Sequence, residues 1–274
     1  MNKVILSVAP VCAAPHEIVP EEIAKDVYEC YKQGAAMVHL HVRDKNAALT
    51  PDLSLLAETV KLIREKCDII VEISTGGVSN LTIEERCQPI YADFTEAVSL
   101  NVGSVNLGKS VYQNPIDDVK FCVKELIAHK KFPETELFEL GMVNTMAGLV
   151  SEFDFTSPIL LALVFGHEGE LPATENALKH MVAYVKECFE GRDDIIWGYT
   201  QAGRKDWNMM KYAVNYGAGS LRVGFEDSDY IDPDTRVDNN SIIVKKAAEI
   251  VRECGKDVAS VKEAREILNI PFKS

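Results

Sequence analysis

Residues 37–44 read Met37-Val38-His39-Leu40-His41-Val42-Arg43-Asp44, an apolar run interrupted by two histidines and closed by a charged pair. In an extended strand alternate side chains share a face, so His39 and His41 point together while Val38, Leu40 and Val42 point away. Short apolar runs of this kind recur at residues 4–9, 37–42, 69–74, 97–101, 137–141, 159–165, 195–199 and 220–224. Between them lie segments with helical periodicity and end signals. Pro20-Glu21-Glu22 opens one helix and Gly34 closes it, Pro51-Asp52 opens the next, and residues 117–129 form a later one. Near-continuous apolar strands alternating with amphipathic helices imply a parallel sheet covered by helices on its outside. Eight such units predict an α/β fold, a (β/α)8 TIM barrel occupying residues 1–274 as one domain.

An open doubly wound sheet is built from the same βαβ unit. The placement of polar residues favours closure. His39 and His41 end the second run, Ser74-Thr75-Gly76-Gly77 follows the third, Ser99 and Asn101 end the fourth, Glu139 lies on the fifth, and Glu226-Asp227 follows the eighth. A barrel brings all of them to one mouth, where barrel enzymes keep their sites. After an eighth helix at about residues 242–254, Ser260-Val261-Lys262-Glu263 reads as a capping box opening an additional C-terminal helix, an accessory packing or subunit-contact element.

The chain has 274 residues, 47% of them hydrophobic, enough for a large core. Its formal charge of −13 argues against nucleic acid or an anionic membrane as a partner, since both require a basic surface. The seven cysteines are scattered and never spaced C-x-x-C, which predicts neither a disulfide framework nor a thiolate zinc site and suits a reducing, cytoplasmic home. The apolar run at residues 4–14 has the look of a signal-peptide core, but Pro10 interrupts it and it reads as a first buried strand. No run is long enough to span a membrane.

Two histidines with Glu226 make the three-ligand N/O set of a catalytic zinc site, leaving a position for a substrate oxygen. Asp227 differs from Glu226 in backbone phase, so one carboxylate can hold metal while the other faces substrate as a general base. Arg222 and Glu139 are available to orient that base, and an ion pair of Arg222 with Asp227 at the barrel rim is the plainer alternative. Ser74 to Gly77 offers hydroxyls and accessible N–H groups, a carboxylate cradle or an ordinary turn. Asn101 and Asn106 fit ligand contact or loop capping equally. There is no Walker loop, no dinucleotide glycine fingerprint after a strand and no G-x-S-x-G elbow.

Taken together, the strand ends closely resemble the β-keto acid cleavage enzymes, whose named prototype is the 3-keto-5-aminohexanoate cleavage enzyme. The resemblance runs along nearly the whole chain. It rests on Gly34-Ala35 leading into His39-Leu40-His41-Val42-Arg43, on Ile73-Ser74-Thr75-Gly76-Gly77, on Leu100-Asn101 with Asn106, and on Glu139 before Gly141-Met142-Val143. Gly203-Arg204 and Arg222-Val223-Gly224-Phe225-Glu226-Asp227 complete it.

The resemblance implies a barrel, Zn2+ held by His39, His41 and Glu226, and a homo-oligomer, usually a tetramer. It implies a reaction between a β-keto acid and acetyl-CoA that yields acetoacetate and a new acyl-CoA. Asp227 would then form the carbon nucleophile, supported by Arg222 and Glu139, with Ser74, Gly77 and Ser99 contacting substrate. Two positions depart from the pattern. Where the prototype has a glutamate for the substrate's amino group this chain has Ala14, which implies a keto acid lacking that group. Where relatives carry Gly-Gly after the sixth strand it reads Gly166-His167-Glu168-Gly169-Glu170, in which His167 reads as an exposed loop histidine. Outside this family, the H-x-H pair also fits a metal-dependent barrel hydrolase or lyase, or a metal-holding binding protein without catalysis.

Overall fold

The computed structural model describes residues 2–12 and 14–272. Eight parallel strands form the sheet: β1 (Lys3–Val8), β2 (Met37–Leu40), β3 (Ile70–Ser74), β4 (Ala97–Asn101), β5 (Phe132–Leu137), β6 (Ile159–Phe165), β7 (Ile195–Gln201) and β8 (Ser220–Val223). Each pairs with its neighbours in chain order, and β8 returns to β1 through Ile5 opposite Ser220 and Val8 opposite Val223, closing the barrel. The crossovers carry α1 (Pro20–Lys32), α2 (Ser54–Arg64), α3 (Ile83–Arg86), α4 (Ile116–Ala128), α5 (Leu140–Glu152), α6 (Glu175–Cys188), α7 (Asn208–Tyr216) and α8 (Asn240–Glu253). The protein is therefore a (β/α)8 barrel. Among the described residues no helix is long and apolar enough to cross a membrane.

The fifth strand is not where its apolar content predicts. It covers Phe132–Leu137, ahead of the expected 137–141, and Leu140 already begins α5. The cause is its interior face. Alternation turns Phe132, Glu134 and Glu136 into the barrel, so the strand reads as charged although both glutamates are buried. A helical pattern then begins where the strand was expected to continue.

The barrel interior is apolar at one end and polar at the other. Ile5, Met37, Ile70, Ala97, Phe132 and Leu160 form its lower layer and pack against Ala264, Leu268 and Ile270. The last three come from α9 (Val261–Leu268) and its exit, which plug the end of the barrel that receives the strand N-termini. The expected capping box opens α9, with Ser260 Oγ accepting from the Glu263 N–H and the Glu263 side chain accepting in return. Arg265 of the same helix reaches Glu96 at 2.7 Å, and both side chains are buried. Two residues up each strand, the interior positions become Ser7, His39, Glu72, Ser99 and Glu134.

Because Leu268 is wholly buried in the plug, Leu268→Ala should lower unfolding free energy by about 2–5 kcal/mol, the range for an uncollapsed core cavity. Urea titration of the two proteins measures this. A loss under about 1 kcal/mol would show α9 to be an accessory to the fold rather than part of its core.

Candidate active site

The strand C-termini surround a cavity of about 720 Å3. On its floor the Nε2 atoms of His39 and His41 lie 3.3 Å apart, with Glu226 Oε1 at 3.7 Å from the first and 3.2 Å from the second. Each imidazole is held from behind through Nδ1, His39 by the Glu72 carboxylate at 3.1 Å and His41 by the Gly76 carbonyl at 3.1 Å. Donation of both Nδ1 protons leaves two Nε2 lone pairs converging on a carboxylate oxygen. That arrangement repels itself unless a cation lies between, so the donor set fits a metal ion.

Glu72 pairs in register with His39 on the adjacent strand, which explains why its carboxylate meets the ring. Burial pushes Glu72 up to about 8. Glu134 stands beside it, equally dry, and burial together with Glu72 drives it well above the ordinary carboxylate range. Two carboxyl groups in one desolvated space resist ionising together, so the Glu72–Glu134 pair retains a proton while a Glu72 oxygen still faces His39 Nδ1.

Arg222 ties the other half of the site together. Its Nη2 donates to Asp227 Oδ1 at 2.7 Å and its Nε to Oδ2 at 3.2 Å, a two-point fork. Its Nη1 donates to Glu136 Oε1 at 3.1 Å, and Nη2 also lies 3.5 Å from Glu226 Oε1. Burial by itself would lower the guanidinium's pKa, but Asp227, Glu226 and Glu136 outweigh it and hold the proton firmly. Burial likewise pushes Glu226 up, yet His41, His39 and Arg222 together hold it well below the usual carboxylate range. The chain reaches this turn through Gly224, at φ +140°, where a Cβ would lie 2.2 Å from the Ala9 carbonyl oxygen. Only glycine permits that approach, and it places Glu226 and Asp227 side by side over β1.

The fifth-strand carboxylate that meets Arg222 is thus Glu136, not Glu139. Glu139 stands at the N-cap of α5, off the strand, beside Glu170, because the fifth strand ends two residues earlier. Ser74 and Gly77 line the cavity, while Ser99 lies one layer behind and donates to Ser74 Oγ at 3.2 Å. Asn101 turns its oxygen to the Gly103 N–H at 3.1 Å, and Asn106 packs against Gly169. His167 is half-buried and lines the cavity rather than standing exposed. Ala14 is outside the cavity wall. Glu72 and Glu136 escape a search for clustered motifs. Their signal is alternation, a lone acid at every second position of an otherwise buried strand.

The family model described as beta-keto acid cleavage enzyme matches residues 3–270. The chain belongs to that family. It is 31% identical to the 3-keto-5-aminohexanoate cleavage enzyme of Fusobacterium nucleatum, with 98% of this chain and 99% of that one covered. It is 27% identical to the 3,5-dioxohexanoate:acetyl-CoA acetone transferase of Paraburkholderia graminis, covering 98% and 96%. The structure of ObcA in ternary complex with a C4-CoA adduct and oxalate superposes with a TM-score of 0.81 at 17% identity, over 93% of this chain and 67% of that one. That last likeness speaks for the fold.

Removing the shared guanidinium leaves Asp227, Glu136 and Glu226 buried against one another. Arg222→Met should therefore cost about 3–5 kcal/mol of stability, the range for stranding buried charges. Chemical denaturation at neutral pH checks this, and a change below about 1 kcal/mol would mean the three carboxylates do not depend on Arg222.

Proposed function

We propose that this β-keto acid cleavage family member is a zinc-dependent acyltransferase that takes a 3-oxo acid and acetyl-CoA and releases acetoacetate and a new acyl-CoA. The observation that carries the reading is the division of labour between neighbours. Glu226 turns to the imidazole pair while Asp227, forked by Arg222, presents its carboxylate to the same cavity. Pure ligand binding has no use for a base mounted beside a metal ligand, and both relatives' names describe chemistry on six-carbon keto acids.

Charge supports the metal. Around Arg222 stand three carboxylates, Glu136, Glu226 and Asp227, which leaves negative charge in excess in a largely buried site. A divalent cation at His39, His41 and Glu226 would balance it, and a mixed nitrogen and oxygen set suits zinc. When bound, the ion supplies Lewis-acid polarisation of a ketone, acidifying the adjacent carbon.

The chain's own groups account for the proton and the orientation. Asp227 takes a proton from C2 of the 3-oxo acid, and that carbon bonds to the acetyl carbonyl carbon of acetyl-CoA as the thiolate departs. The thiolate bonds to C3, the C2–C3 bond breaks, and its electron pair returns to C2, where Asp227 gives back the proton. The products are acetoacetate and the acyl-CoA of the remaining fragment, with no oxidant or water consumed. Arg222 keeps Asp227 in one rotamer through both transfers. Ser74 and Gly77, with Ser99 behind them, form the cradle for the substrate carboxylate. Glu136 takes the supporting role toward the base that the sequence assigns to Glu139. A cytoplasmic homotetramer belongs to the same reading, and the seven free thiols suit a reducing compartment.

Purified protein should carry about one zinc per chain, and His39→Ala combined with His41→Ala should lose it. Elemental analysis of both proteins decides. Stoichiometric zinc retained by the double variant would mean that the ion sits elsewhere.

Mass detection of new acyl-CoA, after incubating zinc-loaded protein with acetyl-CoA and a panel of 3-oxo acids, tests the reaction itself. Absence of any acyl exchange would refute it. Asp227→Asn should keep the metal and lose at least about 10²-fold in turnover, while Glu226→Gln should weaken metal retention. Equal metal loss in the two variants would show that their roles are misassigned.

A further inference from the structure

In the closed ring β6 stands opposite β2, so the loop leaving β6 faces the histidine pair across the mouth. That loop, residues 166–171, is rigidly built. Gly166 and Gly169 adopt φ of +101° and +91°, and a Cβ at either would come within 2.7 Å of the Ala202 carbonyl oxygen or 2.8 Å of Asn106 Cβ. Gly166 N–H donates to the Leu171 carbonyl at 3.1 Å, and the Glu168 carbonyl accepts from Gly108 N–H at 2.9 Å.

Inside this loop the Glu170 side chain is completely buried. Its Oε1 accepts the backbone N–H of His167 at 2.8 Å and meets the His167 ring at Nδ1, 2.9 Å away. A carboxylate on Nδ1 fixes the tautomer and the ring plane, and in the neutral ring it leaves Nε2 as a free acceptor. Among the described residues nothing hydrogen-bonds to Nε2, and the ring lines the cavity beside Phe138 and Val164. Phe138 and Val164 give this part of the wall an apolar surface around the imidazole.

We propose that His167, oriented by Glu170, is the specificity-determining residue of the site, selecting 3-oxo acids whose substituent beyond the ketone carries an uncharged hydrogen-bond donor such as a hydroxyl. The inference rests on the acyl-transfer reading above and names its substrate class. A substrate held at the histidine pair extends its variable end across the mouth toward β6. A purely apolar end buries Nε2 without a partner, and sites built to bond a donor reject analogues that lack it. A carboxylate there would meet the Nε2 lone pair. An ammonium would have to shed its water beside a ring whose carboxylate, Glu170, spends Oε1 on His167 and keeps Oε2 buried behind it, and Glu168 on the same wall is solvent-exposed.

The test compares 5-hydroxy-3-oxohexanoate, 3-oxohexanoate and 5-amino-3-oxohexanoate on zinc-loaded full-length protein. Both kcat/KM with acetyl-CoA and calorimetric Kd without it are measured. The wild type should favour the hydroxy acid over 3-oxohexanoate by at least about tenfold in both measurements. His167→Val should bring that ratio close to one, and Glu170→Leu, which frees the ring while keeping it, should lower the ratio as well. A wild-type ratio within about twofold of one, a ratio that survives His167→Val, or a preference for the amino acid over the hydroxy acid would each overturn the assignment. If no compound is turned over but the Kd ratio behaves as stated, the acyl-transfer reading fails and the role of His167 in selection stands. If no compound binds, both fall.

Discussion

A single buried guanidinium organises the working end of this barrel. Arg222 comes from the interior face of the last strand and reaches carboxylates delivered by two other parts of the chain, Glu136 from β5 and the Glu226-Asp227 pair from the turn after β8. Taking an arginine out of water is costly, and it is tolerated where several of its donors meet anions in good geometry. The carboxylates depend on the same contacts, because side by side without the guanidinium they would repel and take up protons. Closing the strands into a ring is what makes the arrangement possible, since it puts β8 next to β1 and across from β4 and β5.

The interior is graded along the barrel axis, and the grading serves the chemistry. At the bottom, apolar side chains from the strands pack against α9 as a buried cluster. Above them stands a layer with Glu72 and Glu134, buried side by side with both carboxyl pKa values raised, in which Glu72 holds His39 from behind. His39 forms the cavity floor at the top of this layer, and the next layer, with His41, Glu136, Arg222 and Asp227, opens fully into the cavity. Polar groups become usable as they rise, each supported by a fixed layer beneath. Such support is what keeps a site within the small displacements that catalysis tolerates.

Much of this was legible in the chain. Seven of the eight apolar runs lie on barrel strands, and H-x-H at the end of one with Glu-Asp after another pointed to the cluster of His39, His41 and Glu226 and to the carboxylate beside it. The failure is informative because its cause is physical. Strand β5 hides two glutamates in the interior, so its composition is that of an exposed segment, and a search for apolar runs slid five residues downstream to 137–141. That slip put Glu139 in the position that Glu136 occupies. Glu72 is a single acid on a correctly placed buried strand, and its use appears only when its register partner His39 is known.

Local sequence determined the repeating β/α units, the capping box of α9, and which strand ends carry histidines, hydroxyls and acids, because these depend on residues within a turn or two of one another. Tertiary structure alone decided which of those ends meet. Register across β2 and β3 matched His39 to Glu72, and ring closure brought Glu226 to His41 from 185 positions away. The loop after β6 set His167 on Glu170 and aimed it into the cavity. Distances between groups far apart in the chain follow from strand pairing and closure, and neither is written in any one segment.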